Sequence, residues 1–209
     1  SRLRDAEPKI SPDGTLVAYI RDEEIFVRPL GSFESRSLPG TSGAEDIFWS
    51  PDGRWIGYHD GNAIFKVALT GGDSIKLTSE SLDLGTVCGG AWTADGHIVV
   101  SDESRGIVRV SSRGGDPQPV LPISEDLVDY HDVSVPTGTD IVLCVFHRRD
   151  MSFAIVALDG DQRAVLVDMN DSYLSHPFYS PSGHVLFSRG ASERSVWAVP
   201  FDLARLETT

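Results

Sequence analysis

The sequence predicts an all-β fold, a β-propeller built from four-stranded antiparallel blades. Three observations carry that expectation. A turn motif recurs along the 209 residues, the segments between its copies are short and rich in Val, Ile, Phe, Trp and Tyr, and no segment sustains helical periodicity. The motif is Ser11-Pro12-Asp13-Gly14. It returns as Ser50-Pro51-Asp52-Gly53 and, degraded, as Thr93-Ala94-Asp95-Gly96, Val135-Pro136-Thr137-Gly138 and Ser180-Pro181-Ser182-Gly183. Its glycines fall at 14, 53, 96, 138 and 183, so the copies lie 39, 43, 42 and 45 residues apart.

The residue types explain the motif. Proline presets φ at the second position of a turn, aspartate bonds to nearby backbone, and glycine takes the positive φ that closes a hairpin. The motif therefore joins strand one to strand two, and its aspartates are scaffold. An apolar segment precedes each copy (Ile47-Phe48-Trp49) and an alternating segment follows (Trp55-Ile56-Gly57-Tyr58). A third segment comes next, as in Ile64 to Leu69 or Phe153 to Leu158, and a short fourth closes the unit, as in Ser74 to Thr78 or Arg163 to Val167. Four short strands in about 40–45 residues are a propeller blade. Five blades are expected, at about 8–40, 43–79, 85–122, 129–168 and 174–209. The fifth shows three strands, with a single helical turn conceivable from Asp202 to Glu207. Closing the ring then calls for a fourth strand and a sixth blade, and the favoured expectation is part of a six-bladed ring. Alternatively, Ser1 to Asp5 donate the outer strand of the last blade. The aromatics Trp49, Trp55, Trp92, Trp197, Phe48, Phe178 and Tyr179 recur at fixed blade positions and are expected to pack between blades.

Composition narrows the function classes. The formal net charge is −13, from 31 acids against 18 Lys and Arg, which opposes nucleic-acid phosphates and favours a basic partner or a cation. No apolar run reaches the ~20 residues of a membrane span, and no secretory signal begins at Ser1, so this segment is not expected to insert in a membrane. A signal or anchor upstream of Ser1 stays open. Cys88 and Cys144 follow no metal or disulfide spacing and read as buried small hydrophobes.

The run Phe48-Trp49-Ser50-Pro51-Asp52-Gly53-Arg54-Trp55-Ile56-Gly57-Tyr58 resembles the repeat of TolB-like propellers. Ser195-Val196-Trp197-Ala198-Val199-Pro200-Phe201-Asp202-Leu203-Ala204-Arg205-Leu206-Glu207 resembles a segment of propellers at the C-terminal, sensor end of bacterial serine/threonine protein kinases. That likeness implies a non-catalytic sensor propeller outside the cell, attached to a transmembrane kinase. Without such an attachment the expected compartment is the cytoplasm.

Catalytic motifs are poorly represented. Gly40-Thr41-Ser42-Gly43-Ala44 lacks the last glycine of a nucleophile elbow, and His147-Arg148-Arg149-Asp150 lacks the asparagine and companion motifs of a kinase loop. Asp159-Gly160-Asp161 reads as a hairpin turn, and Asn170-Asp171-Ser172 is a weak glycosylation match. One constellation stands out. Seven residues before each repeat glycine lie Glu7, Asp46, Gly89, His131 and His176, where the innermost strands begin. Two carboxylates and two imidazoles at one channel mouth are ligand-binding candidates, and Glu7, Asp46, His131 and His176 are candidate ligands for a divalent metal, although no cofactor is required. Tyr130 and Tyr173 are expected to line the same site. The alternative functions are a metal-dependent lyase or hydrolase at this mouth, or an accessory propeller of a peptidase.

Propeller topology also sorts the loops. The links between strands two and three, and from strand four to the next strand one, share the mouth face. They carry Asp22, Glu23, Glu24, Glu45, Asp46, Asp60, Glu80, Asp83, Asp102, Glu103, Glu125, Asp126, Asp129 and Asp132. Arg148, Arg149, Arg189 and Arg194 form a smaller basic sector, with Arg148 and Arg149 counted among the ligand-binding candidates. The expected ligand is a protein or small molecule, basic in character, steered to that face.

Overall fold

The computed structural model describes residues 7–79, 87–170 and 172–208. They form five separate four-stranded antiparallel sheets, each ordered one-two-three-four along the chain. Blade one holds β1 (Lys9–Ile10), β2 (Leu16–Arg21), β3 (Glu24–Pro29) and β4 (Arg36–Ser37). Blade two holds β5 (Asp46–Trp49), β6 (Trp55–His59), β7 (Ile64–Ala68) and β8 (Ile75–Lys76). Blade three holds β9 (Val87–Trp92), β10 (His97–Asp102), β11 (Gly106–Ser111) and β12 (Gln118–Pro122). Blade four holds β13 (Leu127–Ser134), β14 (Val142–Arg148), β15 (Phe153–Asp159) and β16 (Gln162–Met169). Blade five holds β17 (Leu174–Ser180), β18 (His184–Arg189), β19 (Ser195–Asp202) and β20 (Glu207–Thr208).

The repeated turn folds as its chemistry dictates. Ser11 Oγ donates to Asp13 Oδ1 at 2.6 Å and accepts the Leu16 N–H at 2.9 Å, while the Gly14 N–H donates to the Ser11 carbonyl. Ser50, Asp52, Gly53 and Trp55 repeat the pattern at the same distances. Both aspartates are held below the usual carboxylate range, chiefly by the serine hydroxyl.

Blade five is more complete than expected. It has a fourth strand, pairing Phe201 with Thr208 and Asp202 with Glu207. In place of a helical turn, the Asp202 carboxylate accepts the Ala204 and Arg205 N–H groups at 2.9 and 3.1 Å, and Leu206 at φ +57° turns the chain back. The suggested strand from Ser1 to Asp5 lies outside the described residues.

The core is divided among the seams. Ala18, Ile25 and Val27 meet Ile47, Ile56 and Val67 between blades one and two. Phe48 and Ile64 meet Ile98 and Val108 between blades two and three. Ile107 meets Phe146 and Val156 between blades three and four, and Val145 and Ile155 meet Val185 and Phe201 between blades four and five. Cys88 and Cys144 are buried thiols in no disulfide, and burial pushes Cys144 up to about 12, which leaves it inert. Among the described residues no helix is long and apolar enough to cross a membrane.

Among the described residues, two sheet faces have no neighbour. On blade one, Ile10 is 60% exposed beside the stacked rings of Tyr19 and Phe26. On blade five, Phe178 is 59% exposed and Val196 77%. Phe178 therefore departs from the inter-blade packing expected of it, because it lies on the face beyond the last seam, while Trp197, cross-strand from the buried Phe187, is on the blade-four side and still 46% exposed.

One seam is fixed by the absence of side chains. Phe48 pairs across the sheet with Gly57, and its ring lies between Gly57 and Gly90 of the next blade. A Cβ on Gly57 would stand 2.0 Å from Phe48 Cε2, and one on Gly90 would stand 2.7 Å from Cε1. Gly57→Ala is expected to cost about 1–3 kcal/mol in urea denaturation, and adding Phe48→Leu to recover part of it. Unchanged stability in the single variant would show that the ring has room to move.

Candidate functional site

In each sheet the first strand is innermost and antiparallel to the second, so β1, β5, β9, β13 and β17 all begin at one end of the molecule. At the opposite end, the repeat turns of blades one, two and four line a cavity of 330 Å³ that includes Asp13 and Asp52. Those two carboxylates are committed to their own turns, which leaves the first end as the candidate mouth.

Blade four enters the mouth one residue out of step with its glycine. In the other blades the turn is closed by the N–H of the glycine: Gly14 to Ser11, Gly53 to Ser50, Gly96 to Thr93 and Gly183 to Ser180. In blade four the Thr139 N–H closes it onto the Pro136 carbonyl. The residue equivalent to His176 is therefore Asp132, not His131. The backbone agrees, because Gly89, Asp132 and His176 all take positive φ, at +128°, +52° and +55°, at the bulges of their inner strands.

This offset assembles a compact group across three blades. His176 Nε2 lies 3.1 Å from Glu7 Oε1 of blade one and 3.8 Å from Asp132 Oδ1 of blade four. The His176 backbone N–H donates to Asp132 Oδ2 at 3.2 Å, and His131 Nδ1 lies 2.9 Å from the same oxygen. Lys9 stands 3.6 Å from the other oxygen of Glu7. Burial opposes ionisation of Asp132. The His131 hydrogen bond, the charges of His131 and His176, and the His176 N–H outweigh it and hold the carboxyl below the usual range.

The remaining candidates lie elsewhere. Asp46 begins β5, opposite His59 in the ladder. His131 is turned into the seam between blades four and five. There its ring stacks on Tyr173 at 5.8 Å and meets the edges of Phe153 and His147. Tyr130 points the opposite way, 2% exposed, packing edge-on against Phe146 with its hydroxyl donating to the Pro122 carbonyl. Tyr173 thus supports the mouth from behind, and Tyr130 belongs to the seam between blades three and four. Arg148 is bound on both nitrogens by Asp168, at 2.8 and 3.0 Å, and Arg149 donates to the Glu125 carbonyl on the rim. Asp102, placed on the acidic face by the sequence, is buried and tied to Ser104 and Arg105. Glu80 and Asp83 lie outside the described residues. Among the described residues, no group of three or more His, Cys, Asp and Glu side chains is arranged to hold a metal ion, so the four candidate ligands do not form such a centre.

No family model and no curated protein matches this sequence. Solved structures do. The putative TolB from Agrobacterium tumefaciens superposes with a TM-score of 0.73 at 17% identity, over 98% of this chain and 79% of its own. TolB from Acinetobacter baumannii gives 0.65 at 14% identity, over 91% of this chain and 55% of its own. The fold is a TolB-like β-propeller. The chain spans little more than half the length of the Acinetobacter TolB. An oligogalacturonate lyase in complex with manganese shares the fold more loosely, with a TM-score of 0.60 at 11% identity over 96% of this chain and 77% of its own.

The mouth makes stability depend on acid. Asp132 ionises more readily folded than unfolded, so its contribution is complete above the unfolded value of about 3.9 and is lost as pH falls through the lower folded value. Asp132→Asn is expected to cost about 1–3 kcal/mol at neutral pH. It should also shrink the further loss as pH falls below about 4. Urea melts of both proteins across that range measure the difference, and parallel pH curves would mean that the carboxylate is not tied into the mouth.

Proposed function

We propose that this TolB-like propeller is a non-catalytic binding or sensing module that takes a protein or small ligand, basic in character, at its channel mouth. The observation that carries this reading is the convergence of Glu7 and Asp132 on His176 where the inner strands begin, with Asp46 on the same rim. A guest with an ammonium or guanidinium group meets carboxylates already fixed in place. The net charge of −13 supports steering of such a guest from a distance. The likeness of Ser195 to Glu207 to sensor propellers of bacterial serine/threonine kinases supports an extracytoplasmic sensor role. A coding sequence with a kinase domain and a membrane span upstream of Ser1 is the expected context, and its absence would remove the kinase part of the proposal.

Binding is tested with a lysine-rich peptide and a glutamate-rich peptide of equal length. The basic peptide is expected to bind and the acidic one not. Its association rate should fall steeply as the Debye length shortens from about 10 Å at 0.1 M salt. Glu7→Gln combined with Asp46→Asn should weaken it severalfold without unfolding the protein, since both side chains lie at the rim. Equal binding of the two peptides, or an association rate indifferent to salt, would overturn the basic-guest reading.

A further inference from the structure

The two carboxylates that flank His176 each have one oxygen committed within the protein. Glu7 Oε2 stands 3.6 Å from the Lys9 ammonium. Asp132 Oδ2 accepts the His176 backbone N–H at 3.2 Å and lies 2.9 Å from His131 Nδ1. The other two oxygens, Glu7 Oε1 and Asp132 Oδ1, both face His176 Nε2, at 3.1 and 3.8 Å. A neutral imidazole carries its proton on either nitrogen, and with the proton on Nδ1 the Nε2 lone pair is a third acceptor. Three acceptors, one each from blades one, four and five, then surround one point. The His176 side chain is 34% exposed and that of Glu7 50%, so a guest can reach it.

We propose that the mouth recognises a primary ammonium group, as carried by a lysine side chain or a small alkyl amine, and selects it over a guanidinium. This rests on the basic-guest reading above and names the chemistry of the guest. An ammonium is a compact charge with three N–H donors, one for each of Glu7 Oε1, Asp132 Oδ1 and His176 Nε2. A guanidinium is a planar fork, and its strongest pairing takes both oxygens of one carboxylate. Neither carboxylate offers both. Lys9 stands at the second oxygen of Glu7, and His131 and the His176 N–H hold the second oxygen of Asp132.

The acceptors are held in place before a guest arrives. His131, which fixes Asp132 through Nδ1, is itself stacked on Tyr173 at 5.8 Å. Less ordering is then left for binding to impose. The imidazole adapts by moving its proton from Nε2 to Nδ1 through solvent, which leaves the ring neutral. The guest's ammonium is then the only new positive charge between the two carboxylates. Its hydrogen bonds, at about 2.9 Å, also reach further than metal bonds of about 2.0–2.2 Å. A group too widely spread for a metal ion can therefore still hold an ammonium.

Three peptides of equal length and charge, rich in lysine, arginine or trimethyl-lysine, test this by titration calorimetry. Long-range steering is the same for all three. The lysine peptide is expected to bind about tenfold more tightly than the other two, since only its head group donates to all three acceptors. His176→Gly removes the imidazole and leaves at this bulge the residue that blade three already has there, Gly89. In that variant the lysine advantage should shrink severalfold while the circular dichroism spectrum stays that of the parent. n-Butylamine as a competitor separates the two sources: displacement of the lysine peptide shows that the head group alone suffices, and no displacement assigns the ammonium to a protein lysine. Equal affinity of the three peptides for the unaltered protein, or a lysine advantage untouched by His176→Gly, would overturn the ammonium proposal and leave the basic-guest reading standing. Failure of all three to bind better than a glutamate-rich peptide would overturn both.

Discussion

Every blade has two apolar faces, and only another blade can cover them. That constraint organises the molecule. A single four-stranded antiparallel sheet of this size has no interior of its own, so its Val, Ile and Phe residues leave water only when sheets stack. The four seams, such as Ile47 against Ala18 or Phe146 against Ile107, are the hydrophobic core, distributed like spokes rather than gathered at a centre. Details that look local serve this stacking. Gly57 and Gly90 lack side chains because the Phe48 ring occupies their space, and the buried thiol of Cys144 fills a seam rather than reacting. The same constraint explains what stays exposed. Ile10 and Phe178 sit on the outward faces of the first and last blades, in positions that would be interior in any middle blade.

The repeat made the fold legible because its turn is a chemical device with few alternatives. Serine, proline, aspartate and glycine at fixed spacing specify one hairpin, and the Ser11–Asp13 and Ser50–Asp52 bonds have the same length in the folded chain. Legibility failed where the device was degraded. In blade four the glycine at 138 no longer closes the turn, so counting from it pointed to His131 when the mouth residue is Asp132. Nothing in the spelling Val-Pro-Thr-Gly-Thr marks the one-residue offset. It appears only when the N–H of Thr139, rather than that of Gly138, is seen to reach back to Pro136. Side-chain direction was equally hidden. Tyr130 and His131 are neighbours in sequence, and alternation along β13 sends one to each seam.

The acid excess also means less than its count suggests. Asp102 is buried under Arg105, Asp126 is held by Ser124, and Asp13 and Asp52 are parts of turns. On the basic side, Arg148 is neutralised by Asp168. At the mouth itself Glu7 and Asp132 flank the His176 imidazole, and Asp46 stands at the start of β5.

Backbone geometry argues that this set is there for its side chains. Blade three fills the bulge with Gly89, the residue that adopts positive φ without strain. Blades four and five fill the same position with aspartate and histidine, where left-handed backbone costs on the order of 1 kcal/mol each. A purely structural bulge is better served by glycine in all three blades. The strain persists because the two residues hold each other, the Asp132 carboxylate accepting the N–H of His176 while its other oxygen faces the imidazole. The ring therefore carries charge and hydrogen-bonding capacity at its axis at a cost in backbone energy, and that cost falls at the one place where the blades converge.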